Sequence, residues 1–145
     1  MKKIVYNSWI ARHILLSGYS TITIAAWVLT KYKDEKEMPQ YVRNHEAIHI
    51  RQWAECMISS CLIILALMLF ADLSAWWLLL SVSLFYVLYV LEWLLKLPFL
   101  GKEAYRNLSF EREAYCNQLD RDYLANCGYF EWLQYFLENS GKSSP

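Results

Sequence analysis

The sequence has no excess charge of either sign: Lys plus Arg and Asp plus Glu stand at 14 each in 145 residues. No overall field attracts a polyanion, and no basic stripe interleaved with aromatics runs along the chain, so nucleic acid is not an expected partner. There are cysteines, Cys56, Cys61, Cys116 and Cys127, but no CxxC pair and no ladder of short spacings. That excludes a disulfide framework and a structural zinc knuckle and leaves them as reduced packing residues. No cleaved targeting signal is expected, because polar Asn7 and Ser8 and then Arg12 and His13 interrupt the apolar run that would have to follow Met1-Lys2-Lys3. Helix breakers are scarce too: neither Gly nor Pro occurs from Ile50 to Phe70.

What is abundant is apolar and aromatic surface, at 57% and 17% of the residues, more than an ordinary soluble domain of this size needs for its core. Cys56 to Ala71 carries no charge and only Ser59 and Ser60 as hydroxyl breaks, and Ala75 to Leu95 carries one charge, Glu92. The second run is long enough to span a bilayer; the first becomes so if the residues from Gln52 are recruited. Asp72-Leu73-Ser74 between them is a short polar turn with an N-cap for the next helix, so a hydrophobic helical hairpin is expected over about 53–96. Lys31, Lys33, Lys36, Arg43 and Arg51 precede this hairpin, Lys96, Lys102, Arg106 and Arg112 follow it, and its tip holds only Asp72, which places both ends on the cytoplasmic side of the bacterial inner membrane. The alternative is a soluble cytoplasmic protein in which both helices form the buried core. Trp76, Trp77 and Trp93 fit an interfacial belt but also fit a core.

Residues 1 to 30 lack the helical period. Thr21-Ile22-Thr23-Ile24 alternates and Ala25 to Thr30 prolongs an apolar, β-compatible run, so a strand is expected from about Thr21 to Thr30. A transmembrane segment from Ile14 to Thr30 is the alternative, broken by polar Ser17-Gly18-Tyr19-Ser20-Thr21. Lys31 to Pro39 is a charged connector, and Pro39 suits the first turn of a helix that starts near Pro39 to Val42. That helix carries Asn44-His45-Glu46-Ala47-Ile48-His49, a His-Glu-x-x-His pattern. Residues four apart lie above one another on one helix face, so His45 and His49 can hold one zinc ion through two nitrogens. Glu46 points about 100° away and is free to act as general base. The plainer reading is a helix with two surface histidines and a salt-bridged glutamate, and a third ligand decides between them. Gln52 and Cys56 continue the histidine face.

Beyond Pro98 and Gly101, which are expected to end the hairpin, one helix is read from about Lys102 to Asn126 with Gly128 as its stop. Ala104, Leu108, Glu111, Tyr115 and Leu119 recur on one face, which puts Glu111 on the apolar side; Glu113 is read on a solvated face with Arg106, Ser109, Asn117 and Asp120. A carboxylate aimed into a core costs about 2 to 5 kcal/mol unless a cation or metal compensates it, so Glu111 is the natural third ligand, or else the partner of a core arginine or histidine. Tyr129 to Leu137 reads as a short amphipathic docking helix and Ser140 to Pro145 as a frayed end. His13, alone between Arg12 and Ile14, reads as a surface or packing residue.

The combination of His45-Glu46-x-x-His49-x-x-Gln52, a hydrophobic hairpin, and Tyr105-Arg106-Asn107-Leu108-Ser109-Phe110-Glu111-Arg112-Glu113-Ala114-Tyr115 resembles small bacterial membrane proteins with a zincin motif, over most of the chain. More distantly, Phe110-Glu111-x-x-Ala114 is similar to the Glu-x-x-Ala-Asp segment of CAAX-prenyl-type and heat-shock zinc endopeptidases, which are gluzincins. The resemblance implies a zinc metallopeptidase with His45, His49 and Glu111 as ligands and Glu46 as base, acting on a peptide or protein substrate. It departs at Tyr115, which stands where those enzymes have an aspartate. Tyr105 and Tyr115 are both candidate oxyanion donors. The expected fold is mainly α within an α+β class: an N-terminal strand or small β-hairpin, the His-Glu-x-x-His helix running into the hydrophobic hairpin, and a helix bearing the third ligand, all in one minimal domain over 1–145. Two other functions compete: a non-catalytic zinc-binding membrane module, a sensor or scaffold, and a di-iron carboxylate bundle, which needs two Glu-x-x-His elements where this chain has one.

Overall fold

The computed structural model describes residues 3–15, 19–71 and 73–137. Met1, Lys2, Ser17, Gly18, Asp72 and Ser140 to Pro145, on which several of the readings above draw, lie outside the described residues. The elements in chain order are β1 (Lys3–Val5), α1 (Trp9–Ile14), β2 (Thr21–Ile24), β3 (Trp27–Thr30), α2 (Gln40–Phe70), α3 (Leu78–Leu100), α4 (Ser109–Asn117), α5 (Tyr123–Asn126) and α6 (Trp132–Leu137). This is the expected α+β class, mainly helical, with a small sheet near the N-terminus and a helical hairpin. By contact density the chain divides into two units, Met1–Arg51 with Ala114–Cys127, and Gln52–Glu113 with Gly128–Pro145. The division passes within α2 and within α4, so both helices are shared.

The first unit holds a three-stranded sheet in the order β1-β3-β2, with β3 parallel to β1 and antiparallel to β2. The single strand expected from Thr21 to Thr30 is two strands joined by Ala25 and Ala26, with Ile24 paired to Trp27 across the turn. Ala25 turns the chain at φ +53°, a conformation that alanine adopts at a cost and glycine or asparagine would have announced. Ser8 caps α1 by accepting the Ala11 N–H, and Arg43 donates back to the Met38 carbonyl at the entry of α2. Further along, Asn44 on α2 donates to the Gln118 carbonyl just beyond α4 at 2.9 Å.

The second unit is built on the apolar part of α2 and on α3. At about 1.5 Å per residue the 31-residue α2 is ~46 Å long. In the most apolar windows of the two helices only 22% and 17% of the residues are buried. Ile58, Leu62, Ile63, Leu69, Leu91, Leu94 and Leu95 are all exposed, so these helices are not the buried core of this chain. The unit's core is smaller: Cys56, Phe85, Phe110 and Trp132, with Trp53, Tyr86, Tyr89 and Phe130 packed against it.

Helix α3 runs through Pro98 and ends at Leu100, at the expected glycine stop: Gly101 takes φ +52° and returns its N–H to the Leu97 carbonyl. The long helix expected from Lys102 to Asn126 is broken into α4 and α5. Buried Glu92 on α3 causes the late start: its carboxylate accepts the Ser109 N–H and the Ser109 hydroxyl, both at 2.7 Å, and so caps α4 from outside. Lys96 pairs with Glu92 at 2.6 Å and donates to the Asn107 carbonyl. At the other end Asp120 accepts the Asp122 N–H, a local turn that competes with helix. The tail forms α6, where Trp132 packs on Phe110 with ring centroids 4.3 Å apart.

Replacing Glu92 by Ala strands Lys96 and uncaps α4. The expected loss is about 3 to 5 kcal/mol, seen as a lower thermal midpoint in detergent micelles; a midpoint within a degree of wild type would show that Glu92 does not hold α4.

Candidate metal centre

On α2 the His-Glu-x-x-His residues divide between two faces, as their spacing requires. Nε2 of His45 and Nε2 of His49 lie 3.1 Å apart and the rings meet edge to face. Two imidazole nitrogens on one tetrahedral zinc stand about 3.3 Å apart, so the pair is already at ligand spacing. Tyr115 sets its ring against His45, centroids 4.7 Å apart, and is itself partly exposed.

Glu46 points the other way, into the sheet. Its two carboxylate oxygens accept the hydroxyls of Thr21 and Thr23, the latter at 2.5 Å. Residues two apart on a strand present side chains to the same face, so the alternation of β2 delivers both hydroxyls to one carboxylate. β2 is an edge of the sheet, and its partner β3 lies on the other side.

The third expected ligand, Glu111, lies in the first turn of α4 and is 2% exposed. Tyr89 on α3 donates its hydroxyl to Glu111 Oε1 at 2.6 Å. Among the described residues His45, His49 and Glu111 form a group of possible metal ligands, one donor atom from each, all within 4.8 Å of one another. Two imidazoles and one carboxylate are a donor set that divalent metals, zinc among them, accept. The donor chemistry therefore fits a divalent metal ion held by three residues.

Glu113 is not on a solvated face. It is buried and accepts a 2.8 Å hydrogen bond from Gln52, which also donates to the Phe110 carbonyl at 3.0 Å. Gln52, three residues after His49, thus ties α2 to α4, and Glu113 answers Gln52. Ser109 is likewise buried, by its bonds to Glu92, whereas Leu119 on the expected apolar face is exposed. Of the two candidate oxyanion donors, Tyr115 lies on His45, while Tyr105 faces Tyr89 with centroids 6.4 Å apart. His13 sits on Trp9 and is not a member of this group.

Sequence reading missed Thr21, Thr23, Tyr89 and the capping role of Glu92. The alternation Thr21-Ile22-Thr23-Ile24 held a signal, since two hydroxyls on one strand face require an acceptor if buried. Nothing local marks Tyr89, one of four aromatic residues between Phe85 and Trp93 in an apolar helix.

No protein-family model, no curated protein and no solved structure matches this chain.

The double substitution Thr21→Val and Thr23→Val removes two hydrogen bonds to a buried carboxylate, each worth about 1.5 to 3 kcal/mol. It is expected to lower stability and to speed amide exchange in β2; exchange and melting unchanged from wild type would show that Glu46 is solvated without them.

Proposed function

We propose that the chain is a zinc-dependent metallopeptidase of gluzincin type, hydrolysing peptide bonds at the cytoplasmic surface of a membrane. One observation carries this reading: the two histidines of a His-Glu-x-x-His helix and a buried glutamate from a second helix bring one donor atom each within 4.8 Å. His45, His49 and Glu111 would hold the zinc. When bound, the ion supplies Lewis acidity, polarising the scissile carbonyl and making water a nucleophile near neutral pH. The chain's own residues do the rest. Glu46 takes a proton from the attacking water and returns it to the leaving amine as the C–N bond breaks. Thr21 and Thr23 orient that carboxylate from the edge strand β2, whose free edge suits the main chain of an extended peptide. Tyr115, beside His45, is the better placed of the two tyrosines to donate to the developing oxyanion.

The membrane part of the proposal rests on the outward-facing apolar residues of α2 and α3, which lipid would cover. The side rests on the Lys and Arg residues flanking the hairpin. One observation favours the second reading, a non-catalytic zinc module: both Glu46 oxygens already accept hydroxyl donors from β2, so the carboxylate is occupied as a structural tie to the sheet.

Protein purified in detergent without added metal should carry one zinc per chain and cleave members of a broad peptide library. Glu46→Gln should keep the zinc and lose activity by about 10²- to 10⁴-fold. Zinc without turnover, indifferent to Glu46→Gln, would favour the sensor or scaffold, and two irons per chain would overturn both. For the topology, a variant retaining only Cys116, which is exposed and outside α3 and the apolar run of α2, should remain in the membrane pellet after alkaline carbonate. It should react with an impermeant maleimide only after the cells are opened; labelling of intact spheroplasts would reverse the orientation.

A further inference from the structure

Tyr89 lies in the middle of α3, and several contacts fix it. Its ring stacks on Phe110 at an interplanar angle of 17° with centroids 5.9 Å apart, and meets Phe85 at the same distance. Tyr105 packs edge-on against it and hydrogen-bonds to it. Phe110 immediately precedes Glu111 and is almost wholly buried, so the aromatic clamp and the carboxylate ride on the same turn of α4. The hydroxyl that emerges from this clamp donates to one atom, Glu111 Oε1, at 2.6 Å.

A carboxylate ligand can bind a metal through one oxygen or through both. Two imidazoles and one carboxylate oxygen leave a tetrahedral ion with an open fourth position, as catalytic zinc sites have; two imidazoles and both oxygens close it, as in structural sites. We propose that Tyr89 is a positioning residue that commits Oε1 of Glu111, so that the carboxylate serves the metal through a single oxygen and one coordination position stays open to water or substrate. This rests on the metal site proposed above. It assigns to Tyr89, outside the ligand set, the difference between a catalytic and a closed centre, with Tyr105 bracing the phenol.

Cobalt(II) reports coordination number through its visible absorption, and azide reports an open position by shifting that absorption. Full-length protein in detergent micelles, stripped of metal and titrated with cobalt, should take up one ion per chain and respond to azide. Tyr89→Phe should still take up one ion, but with an altered visible band, as expected when a second carboxylate oxygen fills the open position, and with azide affinity reduced at least ~10-fold, a typical size for losing a partner of a metal ligand. A band and an azide affinity the same as wild type would overturn the role of Tyr89 while leaving the site intact. Failure of the wild type itself to bind cobalt would remove the site reading, and this proposal with it. Should Tyr89→Phe lose its helical circular dichroism, the same titrations on Tyr105→Phe decide the matter: a smaller shift in the same direction supports the role, and wild-type behaviour overturns it.

Discussion

An ionised carboxylate loses its water when it is buried, at a cost of several kcal/mol, on the order of 2 to 5, unless donors or a cation replace that water. Among the described residues Glu46, Glu55, Glu92, Glu111 and Glu113 are all buried, and much of the structure can be understood as the set of partners they require. Glu46 takes two threonine hydroxyls from β2, Glu92 takes Lys96 and the start of α4, Glu111 takes the Tyr89 phenol and Glu113 takes Gln52. Glu55 accepts the Phe130 N–H in the approach to α6. Apart from the Glu92–Lys96 pair within α3, each of these bonds joins an element to one distant in sequence. Remove the carboxylates and what remains is two apolar helices with a small aromatic core, which do not by themselves specify where α4 begins.

The proposed chemistry depends on the same constraint. The spacing of His45 and His49 follows from the helix alone, but a two-nitrogen site is incomplete, and the donor that completes it has to be a buried carboxylate on another element. Glu92 determines that α4 starts at Ser109, and that start puts Glu111 in the first turn, next to Phe110 and its aromatic partners. Gln52 then ties α2 to α4 one turn beyond His49. The base, the ligands and the phenol proposed to orient Glu111 are thus held by side chains that take no part in the proposed reaction.

The parts of this arrangement legible in the sequence were those with short-range signatures. The His-Glu-x-x-His pattern follows a charged connector and Pro39, and α2 begins at Gln40, where that punctuation puts it. Glu111 was recognisable as a charge on an apolar helical face, and it is buried. The two long apolar helices follow from composition and the lack of breakers. What escaped was set by distant partners. The turn at Ala25 has no glycine or asparagine to mark it. Residues 102–126 carry helical periodicity throughout, yet Glu92, far earlier in the chain, decides where the helix starts. Glu113 read as solvent-facing because its partner, Gln52, lies on another helix. Both helices are long and apolar enough to cross a membrane, and what covers their exposed faces is likewise a question of what surrounds them.

The central claim is that His45, His49 and Glu111 hold one zinc ion, and the most direct measurement is zinc X-ray absorption on the purified chain. The account predicts a first shell of nitrogen and oxygen near 2.0 to 2.1 Å with outer scattering from two imidazoles, reduced to one imidazole in His49→Ala. Sulfur scattering near 2.3 Å, which would make cysteines the ligands, or a spectrum without imidazole, would contradict it.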